Sequence, residues 1–241
     1  VKFIVSISTS SFHLWYLPIL IGLLIITPML WEIVNSARGK QWEEYMIVLF
    51  LVFQILPYTI NYFPLPWKEH IMDILQTVQP EMVTGYIGYF ILGHYLSHYE
   101  VSKKLEYLVY VLGVITILAA IGLCYIASQK AGKPIQSFYE NYTLAGFFWG
   151  SSFFLFFKNH LSKIKWSEKQ ETIICYLGSC TFGIYLIHAL IRDILHRIGI
   201  DSMMISNTAI AIPVLITMIF VLSLAVVMII KKIPLAGKWI I

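Results

Sequence analysis

Seven long apolar runs, separated by short polar or proline-bearing breaks, organise this sequence. They cover roughly residues 14–34, 43–63, 82–98, 105–127, 142–158, 173–195 and 208–230. A helix needs about 20 mostly apolar residues to cross the hydrocarbon layer of a bilayer, so each run predicts a spanning helix. The breaks support that reading. NSARGKQ (35–41), SQKAGKP (128–134) and KNHLSKIKWSEKQE (158–171) are hydrophilic, and PLPWKEH (64–70) carries two prolines that end a helix. No internal repeat and no low-complexity tract interrupts the pattern.

Composition says what the solvent is. Of the 241 residues, 59% are hydrophobic and 12% charged, whereas a soluble domain carries about 25% charged residues. So much apolar surface needs lipid around it, and the predicted fold class is all-α: a polytopic membrane protein of about seven spanning helices, read as a single domain over 1–241. The net charge of +4 is not gathered into a patch for nucleic acid. Cys124, Cys175 and Cys180 have neither CxxC nor His-paired spacing, so neither a disulfide framework nor a metal site is expected.

Orientation follows from lysine and arginine on alternate sides. One side receives Arg38, Lys40, Lys103, Lys104, Lys158, Lys163, Lys165, Lys169, Lys231, Lys232 and Lys238. The other receives only Lys2, Lys68, Lys130, Lys133, Arg192 and Arg197. The richer side is predicted to be cytoplasmic, which puts the N-terminus outside. No cleavable signal is visible, and the chain starts with Val1 rather than Met. Together these features predict a chain truncated at its N-terminus.

Candidate chemistry lies where polar side chains share one face of an apolar helix. Thr181, Tyr185, His188 and Arg192 fall within about 60° of one another at 100° per residue. Lipid would leave such a stripe unpaired, so it is expected to face other helices or a polar cavity. Arg192 alone reads as snorkelling to the surface. A second stripe, Gln54, Tyr58 and Asn61, follows the i, i+4, i+7 pattern around Pro57, which is expected to kink its helix. His13 and Trp15 stand at the outer rim of the first helix. These groups rise toward the same predicted side, and aromatic faces mixed with amides and imidazoles suit carbohydrate. Gly85, Gly88 and Gly93 predict close helix packing. His94 and His98 read as interfacial, and Ser223 as bonding back to its own helix.

HLWYLPILIGLLIITPML (13–30), YIGYFILGHYL (86–96), FGIYLIHALI (182–191) and KKIPLAGKW (231–239) occur in that order. Their order and spacing resemble the integral-membrane acyltransferase-3 family, in particular its bacterial sugar O-acetyltransferase branch, of which the enterobacterial-common-antigen type has the most similar layout. The resemblance implies a fold of about ten spanning helices in the bacterial inner or plasma membrane. It implies transfer of an acyl group, acetyl above all, from cytoplasmic acyl-CoA to a hydroxyl of an exported or lipid-linked glycan. Acyl-CoA is then a donor substrate rather than a bound cofactor, and the partners are the glycan acceptor and membrane lipids.

The family's catalytic histidine, about eleven residues after a basic residue, lies in its first helix, and that motif is absent here. Three helices fewer than ten leaves the seven counted, in keeping with truncation. His188 and Tyr185 match the IYLIH motif, and His13 and Trp15 the HLWYL motif. Both motifs look like parts of a cavity wall; the catalytic residue is left unknown, with His188 and Arg192 as candidates because their stripe is expected to line an outward-facing polar cavity. His13, Trp15, Gln54, Tyr58, Asn61 and Tyr185 are the candidate substrate contacts. A transporter or flippase for a lipid-linked sugar is the alternative, since it also needs a polar cavity, although the repeats and paired broken helices of many transporters are missing.

Overall fold

A computed structural model of the chain describes residues 14–78 and 85–233. Regular structure among the described residues is helical. We number the helices α1 (Tyr16–Val34), α2 (Gly39–Ile60), α3 (Lys68–Val78), α4 (Gly85–His98), α5 (Lys103–Ala131), α6 (Leu144–Asn159), α7 (Glu168–Arg197) and α8 (Thr208–Lys231). All seven predicted runs are helical. Five of them, α1, α2, α5, α7 and α8, are long and apolar enough to cross a membrane. The described part of α4 has 14 residues. Helix α6 differs from the expectation: its 16 residues rise about 24 Å, short of the roughly 30 Å hydrocarbon layer.

The polar breaks hold the signals that start and stop these helices. Ser102 caps α5 by accepting from the Leu105 N–H, and Thr143 caps α6 through Gly146 N–H. Ser167 and Gln170 form a reciprocal capping box at the start of α7. Gly132 ends α5 in the left-handed conformation, at φ 63°, which glycine adopts without a Cβ clash. No helix was expected between the second and third apolar runs, yet α3 lies there. Ile71, Ile74, Leu75 and Val78 repeat at i, i+3, i+4 and i+7, a stripe too short to span but suited to lying in an interface.

The chain divides into two compact units. Residues 17–164 form one. Its core gathers Phe50 and Ile55 from α2, Leu92 and Leu96 from α4, and Phe147 and Leu155 from α6. Gly88 is there because the Phe50 ring occupies the space a Cβ would need. Lys158 Nζ donates to the carbonyls of Leu96 (2.6 Å) and Tyr99 (2.8 Å), tying α6 to the C-terminal end of α4. The second unit comprises, of the described residues, 14–16 and 165–233. Within it α7 packs on α8, and Lys231 Nζ donates to Ser179 Oγ at 2.6 Å.

Candidate functional site

In the 17–164 unit, α2 contains one turn of π-helix, Leu51–Ile55, immediately before Pro57. The Leu56 N–H reaches back to the Leu51 carbonyl, five residues away. The wider turn absorbs the ring that an α-helical register could not hold. Gln54, inside the π turn, is buried. Four residues on, the Tyr58 hydroxyl donates to Glu140 Oε2 at 2.6 Å, and the Tyr62 hydroxyl donates to the same oxygen at 3.1 Å. Asn61 is exposed at the helix end, where its carbonyl accepts from Lys68 Nζ. The three predicted stripe residues thus end in different surroundings.

Around Glu140 stands a group of rings. Tyr142 lies 5.7 Å from Tyr58 and 4.9 Å from Tyr86, centroid to centroid. Asn141 donates through Nδ2 to the Tyr86 hydroxyl at 3.2 Å, and its carbonyl accepts from the Tyr89 hydroxyl. Burial, ahead of the Glu140 charge, raises the Tyr62 pKa above the ordinary phenol value.

The opposite end of α2 carries a second carboxylate. Glu43 is completely buried. Its Oε2 lies 2.8 Å from His94 Nδ1, and its Oε1 accepts from the Tyr99 hydroxyl at 3.2 Å. Burial first, and the Glu43 charge second, raise the Tyr99 pKa. Next to it Tyr95 donates to Glu44 at 2.9 Å. A third carboxylate, Glu106, is also buried and accepts from Lys103 (2.7 Å) and Tyr110 (2.9 Å).

In the other unit, His188 Nδ1 lies 2.6 Å from the Tyr185 carbonyl, so that nitrogen carries a proton. The Tyr185 ring is 5.9 Å from His188 and meets Tyr16 edge-on at 6.0 Å. Trp15 meets Tyr16 in turn at 6.3 Å. Trp15, Tyr185 and His188, singled out from the sequence, are thereby joined through a ring the sequence reading passed over. Arg192 turns to its neighbour Asp193, at 2.9 Å, and both side chains are exposed. Thr181 bonds back to the Gly178 carbonyl. His13 lies outside the described residues. Ser223 differs from expectation: its hydroxyl is buried on α8 with no hydrogen-bond partner among the described residues, so it makes no bond to its own helix.

An acyltransferase domain family matches residues 2–232. The chain belongs to the acyltransferase-3 family. It is therefore a membrane-bound acyltransferase, a multi-pass helical enzyme that uses an acyl donor and an acyl acceptor. No curated protein and no solved structure matches it.

The sequence reading of this acyltransferase missed Glu43, Glu140 and Asn141. Glu140 and Asn141 sit between two tyrosines at the edge of an apolar run, the one local signal they offered. Glu43 offered less, because its partner His94 is 51 positions away and reads as an interfacial residue on its own.

Proposed function

We propose that this acyltransferase moves an acyl group, acetyl foremost, from acyl-CoA to a hydroxyl of an exported or lipid-linked cell-surface glycan in a bacterial plasma membrane. The observation that carries the proposal is the cluster of Tyr58, Tyr62, Glu140, Asn141 and Tyr86. Aromatic faces cover the apolar side of a sugar ring, while a carboxylate and an amide bond its hydroxyls. The lysine and arginine distribution puts this cluster on the non-cytoplasmic side, where an exported glycan is found. Asn61, exposed at the end of α2, is a further candidate contact, whereas Gln54 is buried in the π turn.

The reaction requires the acceptor oxygen to attack the thioester carbonyl carbon. Its proton passes to a base, the C–S bond breaks, and the CoA thiol leaves. As candidates within the second unit, separate from that cluster, we name His188 for holding a proton or stabilising the oxyanion, and Arg192, Trp15, Tyr185 and His13 as further contacts.

Membranes containing the full-length protein, given labelled acetyl-CoA and a lipid-linked glycan, should yield a base-labile label in the glycan. Movement of the glycan across the membrane without any label would favour a flippase instead. In the same assay His188→Ala should lower transfer by about one to three orders of magnitude. His188→Gln restores activity if the residue stabilises charge and leaves it low if the residue moves a proton. Full activity in both variants removes His188 from the chemistry.

A further inference from the structure

The predicted cytoplasmic half of the 17–164 unit holds a groove of about 560 Å³ between α1, α4 and α6. Leu30, Trp31, Val34, Phe90 and Phe154 make most of its wall, and His94 is the one ionisable side chain on it besides the Tyr89 phenol. The Thr27 and Ser97 hydroxyls on the wall are turned back to carbonyls of their own helices. The Tyr89 hydroxyl is taken up by Asn141. The groove therefore offers an occupant a long apolar surface and one imidazole.

That imidazole is held firmly. Glu43, fully buried, fixes Nδ1, and Tyr99 fixes the carboxylate from its other oxygen. His94 is left with Nε2 to offer the groove. The α4 wall runs from Tyr89 to Ser97, about 12 Å at the helical rise. Its Tyr89 end reaches the Asn141 carbonyl and so the Glu140 cluster. Val34, at the other end, leads into the turn that carries the exposed cation Arg38 and on to Lys40 in the first turn of α2, which lies 3.8 Å from Glu44. The shape suits a slender, mostly uncharged chain with occasional hydrogen-bonding groups and an anionic head outside the groove. A sugar would find too few polar partners here.

We propose that this groove receives the acyl–pantetheine arm of the donor, with His94, locked by Glu43, hydrogen-bonding an amide of the arm. The thioester end is then directed toward Tyr89 and the acceptor cluster, and the phosphates remain near Arg38 and Lys40. This assignment rests on the reading that the donor is acyl-CoA.

Gly93 lines the groove, and a Cβ added there meets nothing within 4 Å. Gly93→Leu therefore starts its side chain in open space on the groove wall and is a better helix former. Gly122, exposed on α5 and equally open, supplies the control Gly122→Leu. The probe is a non-hydrolysable thioether analogue of acetyl-CoA, titrated calorimetrically into the full-length protein in lipid nanodiscs. We expect Gly93→Leu to weaken binding by about tenfold or more, and His94→Ala by about three- to tenfold, the scale of one lost hydrogen bond. His94→Gln should recover part of that loss, and Gly122→Leu should bind like the wild type. Thermal unfolding of each variant checks that it is folded. If the wild type binds and Gly93→Leu binds equally well, the groove belongs to a lipid tail or to nothing, and the assignment falls while the donor reading stands. If the wild type itself fails to bind, the donor reading fails and takes the assignment with it.

Discussion

Glu43 and Glu140 belong to the same unit, and each accepts hydrogen bonds from two ring-bearing side chains, yet their circumstances are opposite. Glu43 has no exposed surface, and one of its partners is an imidazole. Glu140 is exposed, and both of its partners are phenols. Water can replace what Glu140 loses. Nothing but protein can do so for Glu43, because a desolvated carboxylate without partners is costly. The same local arrangement therefore serves as a fixed anchor at one end of the unit and as an exposed, adjustable group at the other.

Glu43→Ala tests the anchor and should have the largest effect. It removes two hydrogen bonds from a buried site and leaves a void, at a cost of about 3 kcal/mol. A lowered thermal midpoint in detergent, with His94 newly open to modification by diethyl pyrocarbonate, is the expected outcome. An unchanged midpoint would erase the contrast, because Glu43 would then be as replaceable as Glu140.

Glu140→Gln should cost about 1 kcal/mol or less, discounted for solvent. Its larger consequence is expected in kinetics, as a raised KM for the glycan acceptor with the donor KM unchanged. Equal shifts in both constants would mean that Glu140 shapes the whole unit rather than one substrate site. Tyr62→Phe, which removes the longer of the two bonds to Glu140, should change stability by only a few tenths of a kcal/mol. A loss as large as that of Glu43→Ala would show that the exposed cluster is an anchor after all.

The helices were legible in the sequence because hydropathy over about 20 residues is a strong signal, and the breaks contained the caps that end them. Much less of the site was legible. Tyr58 was found from its spacing, but Glu140, 82 positions away, was not, since pairing across helices leaves no periodic trace. Pro57 announced a disturbance of α2 without saying that a π turn would absorb it and leave Gln54 buried. The glycine reading was right for Gly88, which meets the Phe50 ring, and wrong for Gly85 and Gly93, which have open space beside them. Composition cannot distinguish a glycine that admits a neighbour from one that keeps a groove clear. Helix α3 was missed because its apolar stripe is too short to stand out beside spanning runs.

Glu43 and Tyr58 are fifteen positions apart on α2, about 22 Å of rise against a hydrocarbon layer of roughly 30 Å. The two polar clusters therefore lie closer together along α2 than the two faces of the hydrocarbon layer. A charge displaced between the two clusters would travel a shorter distance than one displaced across the lipid nearby.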